Sequence, residues 1–126
     1  MIVIVVVAAI AVVGTLAAIA FALLNPPSPN VGDAGKLEIT FSSEEQRKIK
    51  EVTVTPQELE AATCDDGADC WIAVNGVVYD MSVFPDWARG RHHGIKAGTD
   101  ATEKFVGSGH GRDILERMPV VGRLEQ

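Results

Sequence analysis

The chain has 126 residues, 47% of them hydrophobic, and a formal net charge of −6. That length allows one small domain with an appendage. An acidic balance without a basic patch argues against a nucleic-acid partner.

The charge is spread unevenly, for no Asp, Glu, Lys, Arg or His occurs before Asp33. Residues Met1 to Leu24 are apolar apart from Gly14 and Thr15. As a helix they span about 36 Å, enough to cross a hydrocarbon core of roughly 30 Å with some tilt. A cleaved signal peptide has a basic start and an apolar core of about 7–15 residues. This segment has neither, so residues 1–24 are expected to be a single uncleaved transmembrane anchor in the cell membrane. Sidedness stays open. Lys36, Arg47, Lys48 and Lys50 follow the helix and favour a cytoplasmic domain by the positive-inside rule, whereas a disulfide between the two cysteines would favour the opposite side.

Residues 25–51 read as a Pro-rich and polar linker. Pro26, Pro27 and Pro29 end the helix and favour an extended, semi-rigid stem. LEITF (37–41) alternates weakly like a strand, and Ser43 opens a charged stretch compatible with a short, solvated helix. The domain proper is expected over residues 52–126. VTV (52–54) reads as a short strand, and Thr55 with Glu58 forms a capping box with Pro56 at the first helical position, so a helix should run from Pro56 to Ala62. An acidic loop from Cys64 to Cys70 precedes a strand over Trp71–Val74. Asn75-Gly76 signals a type I′ hairpin, with Val77–Tyr79 returning. Asp80 to Trp87 turns into a loop region, Asp100–Val106 reads as one or two helical turns, Asp113–Met118 as another short helix, and VVGRL (120–124) as a last strand. The composite is an α+β domain, a small sheet with short helices that form a pocket.

The chemistry concentrates between Arg89 and Arg112. All three histidines lie there: His92 and His93 in a loop flanked by Gly90 and Gly94, and His110 among Gly107, Gly109 and Gly111. Glycine lets backbone approach a flat ligand closely. Two imidazoles offered from opposing loops suit a ligand gripped on both faces, and haem iron is such a ligand. The two cysteines leave two readings open, a disulfide or a pair of half-buried thiols. A zinc knuckle would want a closer spacing and a second ligand pair.

The run AGTDATEKFVGSGHG (97–111) resembles the second half of the cytochrome b5 haem-binding domain, where a Gly-His pair carries the second axial ligand. CWIAVNGVVYDMSVFPDW (70–87) is similar to that family's Trp-bearing strand, hairpin and V-Y-D turn, and the resemblance covers roughly Thr55 to Glu125. The family's usual first-ligand motif, His-Pro-Gly-Gly, stands here as His92-His93-Gly94-Ile95, and the segment from there to Ala97 is shortened. Alignment on Gly94 makes His92 the ligand and puts His93 where proline normally stands, with His93 its competitor.

The resemblance implies a six-coordinate haem b (iron protoporphyrin IX) held by His92 and His110. It also implies an electron carrier rather than an enzyme, dependent on separate redox partner proteins. Val83, Phe84, Phe105, Ile114 and Leu115 are the apolar residues expected against the porphyrin, and burial of several hundred square ångströms at about 25 cal/mol per Å² would make the haem much of the core. Trp71 is expected in a second core behind the sheet, and Tyr79-Asp80 in a structural turn. Asp100, Glu103, Asp113 and Glu116 flank the histidine loops, so a basic partner is expected through electrostatic steering. The alternative is a haem- or small-ligand-binding module of the membrane-associated progesterone-receptor type without an electron-transfer role. That branch has a similar anchor but binds haem through tyrosine and lacks the Gly-His pair, and Tyr79 is the only tyrosine here.

Overall fold

The Asn75-Gly76 turn sets the geometry of a four-stranded sheet. The computed structural model describes residues 2–87 and 89–126. Asn75 and Gly76 have φ of 50° and 77°, the left-handed pair that a type I′ turn requires. The turn joins β2 (Trp71–Val74) to β3 (Val77–Asp80), with Val74 opposite Val77 and Trp71 opposite Asp80. β6 (Val120–Leu124) lies antiparallel to β3, and β1 (Thr53–Val54) runs parallel to β6, so the order is β1-β6-β3-β2. Alternation along these strands builds two cores. Ile72, Val74, Val77, Tyr79 and Val120 face one side, while Ala73 and Val78 join Val54 and Leu59 on the other. Trp71 packs on that second cluster, as its position predicts.

Helix α3 (Pro56–Ala61) opens on the expected capping box. Thr55 Oγ1 accepts from the Glu58 N–H at 3.1 Å, and Glu58 Oε2 accepts from the Thr55 N–H at 2.8 Å. A two-stranded ribbon, β4 (Arg91–His92) and β5 (Ile95–Lys96), follows the sheet hairpin, and then come α4 (Thr102–Val106) and α5 (Asp113–Glu116). Asp100 Oδ1 accepts from the Thr102 N–H at 3.0 Å and fixes the start of α4. A disulfide joins Cys64 to Cys70 and closes the acidic loop.

Helix α1 (Ile2–Leu24) precedes all of this. Met1, the first residue of the expected anchor, lies outside the described residues. The stretch Ile4–Leu24 has a mean hydropathy of 2.8 and none of it is buried against the domain. At 21 residues and 1.5 Å rise per residue it is about 31 Å long, enough to cross a membrane.

Residues 25–51 depart from the linker expected there. LEITF forms no strand: Leu37 closes a 3-10 turn, Ala34–Leu37, and residues 38–42 run on without a ladder. Helix α2 (Ser43–Glu51) exists and carries its own capping box, Ser42 with Glu45. It is more than a solvated face, because it packs on β6 and brings Ile49 against the larger core. Leu37, Ile39 and Phe41 pack there too. The physical reason is the apolar content of this short run, which gains more by covering the sheet than by staying extended in water. Gly122 allows the close crossing, since a Cβ there would lie 2.5 Å from the Val52 carbonyl oxygen.

Candidate functional site

Both histidine loops are built by glycine where backbone must turn or approach closely. β4 and β5 are joined through His93 and Gly94, whose φ of 46° and 79° make the tightest two-residue connection. Gly90, at φ 68°, packs directly on the Thr63 carbonyl oxygen, where a side chain would collide. Gly90 is pinned on both sides: its N–H donates to Trp87 O at 2.7 Å, and its carbonyl accepts from the Ala97 N–H at 2.8 Å. The ribbon therefore carries His92 at a fixed place. On the other side, α4 ends at Gly107. Ser108 Oγ donates to Phe105 O at 2.7 Å and accepts from the His110 N–H at 3.3 Å, which folds the following loop back toward the ribbon.

The three imidazoles meet. His92 and His110 rings face each other with centroids 5.8 Å apart and planes 26° from parallel. His93 lies 6.4 Å from His110 at 61°, and Trp87 packs 5.5 Å from His92. Beneath the rings is an apolar cavity of about 260 Å³, lined by Ile72, Met81, Phe84, Trp87, Ile95, Phe105, Ile114, Leu115 and Met118 together with Asp86 and the histidines. Outside them an open cleft of about 740 Å³ runs along Gly94, Lys104 and Gly107 to His110. Burial holds the His92 pKa below its usual value, the neighbouring His93 and His110 push the same way, and Asp86 opposes them. Neutral imidazole is the form that binds iron.

Residues 55–125 match the family described as cytochrome b5-like haem/steroid binding domain. The chain belongs to that family. Solved structures similar to it include a cytochrome b5 domain protein of Hadesarchaea YNP_N21, 37% identical, with 59% of this chain and 99% of that chain covered at a TM-score of 0.54. Another is a cytochrome b5 domain protein of Methanococcoides burtonii, 36% identical, with 60% and 99% covered at a TM-score of 0.55. No curated protein matches the chain.

The residues present fit a haem. His92 and His110 come from opposing loops to border one apolar cavity, with ring centres 5.8 Å apart, and imidazole is a donor that suits haem iron. The apolar chamber suits the buried edge of the macrocycle and the open cleft its polar edge. Among the described residues no cluster of three or more His, Cys, Asp or Glu is placed to hold a bare metal ion.

Phe84, Phe105, Ile114 and Leu115 line the cavity together with the histidines. Val83 does not: it is 59% exposed and points away, because the turn after Asp80 sends Phe84 inward in its place. Ile72, Met81, Trp87, Ile95 and Met118 are cavity residues that the sequence reading did not single out. Two carried a signal. Met118 is four residues after Ile114 in the helix expected over Asp113–Met118, although α5 itself ends at Glu116, and Ile72 alternates with Val74 toward this core. The four carboxylates expected beside the site, Asp100, Glu103, Asp113 and Glu116, are exposed but outside the cleft lining, where the charged side chain is Lys104. Lys104 Nζ donates to Gly94 O at 2.7 Å, and Asp113 pairs with Arg117 at 3.4 Å.

Proposed function

We propose that the protein is a membrane-anchored b-type cytochrome, a one-electron carrier whose haem is held by His92 and His110. The observation that carries this reading is the facing, near-parallel pair of imidazoles above an apolar chamber. His93 lines the same space, but it is exposed at the tip of the ribbon and its ring is steeply tilted to His110, which favours His92. When bound, the haem supplies a reversible one-electron couple between ferric and ferrous iron. His92 and His110 would hold the iron, while Phe84, Phe105, Ile114 and Leu115, which line the cavity beside them, would keep water from the group. Non-covalent attachment is supported by the cysteines, since Cys64 and Cys70 bind each other and neither is free for a thioether. Tyrosine ligation is disfavoured by the place of Tyr79, which is 1% exposed and does not line the cavity. Burial, and secondarily the charge of Glu45, pushes its phenol pKa upward, away from the phenolate.

The same disulfide favours an oxidising side of the membrane for the domain. Donor and acceptor are separate redox proteins, met through the open cleft, and the chain's net charge of −6 favours a basic partner. The test is the absorption spectrum of the purified protein in both redox states, with a redox titration. A carrier of this kind shows sharp low-spin bands and a reversible one-electron transition. His110→Ala and His92→Ala should each remove the low-spin bands, and His93→Ala should leave them. An unchanged bis-imidazole spectrum in His110→Ala would sink the ligand assignment, and loss of the bands in His93→Ala instead of His92→Ala would move the first ligand by one residue.

A further inference from the structure

The loop that presents His110 has no secondary structure to satisfy its own carbonyls. Among the described residues no backbone N–H reaches the oxygens of Ser108, Gly109 or His110. Side chains from the stem reach all three. Lys36 Nζ donates to Ser108 O at 2.8 Å and to His110 O at 3.0 Å. Ser28 Oγ and Asn30 Nδ2 donate to Gly109 O at 3.3 and 3.0 Å. The third ammonium hydrogen goes to Asn30 O at 2.8 Å, so every donor of Lys36 is used. The contact is reciprocal. The Gly32 N–H donates to Val106 O at 2.8 Å, and Arg112 donates to Gly35 O and Glu38 O at 3.2 Å each.

Lys36 is 2% exposed and its nitrogen sits 4.7 Å from the centre of the Phe105 ring, which lines the haem cavity. Burying an ammonium without a carboxylate partner is costly unless its hydrogens are all bonded. A Met or Leu would fill the same space at less cost, so what the lysine adds is the set of bonds to the loop and a fixed positive charge beside it.

We propose that Lys36 is a positioning residue for His110, and that the stem segment from Ser28 to Leu37 is part of the cofactor site rather than a spacer. This rests on the reading of His110 as an axial ligand. Lys36, Ser28 and Asn30 lie outside residues 55–125, the portion matched by the family, whereas the loop that they hold lies inside it, so this support comes from outside the matched domain.

The test uses the full chain, loaded with haem in detergent, and compares wild type with Lys36→Met, Ser28→Ala/Asn30→Ala and His110→Ala. Readouts are the low-spin fraction, the rate of haem loss to an excess of an apo-globin acceptor, and the reduction potential. Lys36→Met is expected to lose haem about tenfold faster, the scale of one charge-assisted hydrogen bond, with a high-spin admixture. Its potential should fall, because a nearby positive charge favours the reduced site. Ser28→Ala/Asn30→Ala should release haem faster by a smaller factor. The fall in potential belongs to Lys36→Met, which alone removes a charge. A wild-type rate, spectrum and potential in Lys36→Met would overturn the proposal. If that variant does not fold, the double variant decides, and a wild-type rate of haem loss there overturns it. His110→Ala separates the two levels: retained low-spin bands in it refute the ligand reading itself, whereas lost bands beside a wild-type-like Lys36→Met refute only the role of Lys36.

Discussion

Replacing Gly90 by alanine should unfold the site from its hinge. Gly90 has φ 68°, and a Cβ there would collide with the Thr63 carbonyl oxygen while reaching 3.9 Å from Cys64 Cβ. The left-handed conformation costs an L-residue roughly 1–2 kcal/mol. The collision cannot be relieved by moving Gly90, because its N–H and carbonyl are both held in bonds of 2.7 and 2.8 Å. Thr63 is equally constrained by its bridge to Cys70 across the disulfide loop. Overpacking of this kind adds about 1–3 kcal/mol, for a total of about 2–5 kcal/mol. Gly94 supplies the control. Its φ is 79°, yet nothing lies within 4 Å of a Cβ there, so Gly94→Ala should cost only the conformational part, about 1–2 kcal/mol. Denaturant titration of the haem-free protein reads both, and the difference between the variants isolates the contact with Thr63. Both midpoints should fall at unchanged slope. Equal losses in the two variants would mean that the close approach at Gly90 does not govern the ribbon, and the account of how His92 is held would fail.

Phe105→Ala, at a residue 4% exposed, should destabilise the domain by about 3–5 kcal/mol in the same titration; a loss under about 1 kcal/mol would contradict its place at the centre of the core. The Cys64–Cys70 bridge spans six positions, and the chain-entropy relation gives about 2 kcal/mol for a loop of that size, so Cys64→Ser/Cys70→Ser should lose that much. Thiol labelling of denatured, unreduced protein should find no free cysteine, and two labelled thiols would place the domain in a reducing compartment. Because burial lowers the His92 pKa below 6.5, His92 contributes no penalty above that pH. As pH falls through and below it, the unfolded chain takes up a proton that the folded chain resists, and stability is lost. Haem-free wild type should therefore weaken between about pH 7 and pH 5 more steeply than His92→Asn, and identical slopes would refute the burial of that imidazole.

What could be read in the sequence was what local chemistry decides. Asn75-Gly76 gave the hairpin because that pair alone among its neighbours tolerates two left-handed residues, and Thr55 with Glu58 gave a helix start because each satisfies the other's backbone. His92 and His110 stood out through their glycine neighbours and the family motifs around them. The failures share a cause. Lys36, Ile39 and Ile49 sit in a polar, proline-led stretch, and their burial depends on a surface made by β6 and the His110 loop, more than 70 residues later. No local pattern marks a lysine whose partners are three backbone oxygens. Val83 and Phe84 illustrate the same limit at short range, since which of two adjacent apolar residues turns inward is set by the turn after Asp80 and not by their own character.

The place of β6 in the sheet has a consequence for how the protein is made. It is the strand between β1 and β3, yet it is synthesised after every strand that it joins. Until Val120–Leu124 leave the ribosome, β1 has no neighbour and β3 has one bare edge. The nascent domain must then wait as a hairpin with an exposed apolar face. Until then Ala73 and Val78, which face Val54 and Leu59 in the finished sheet, have no second core to join. Pairing of the last strand is therefore the step that closes the sheet and both of its cores.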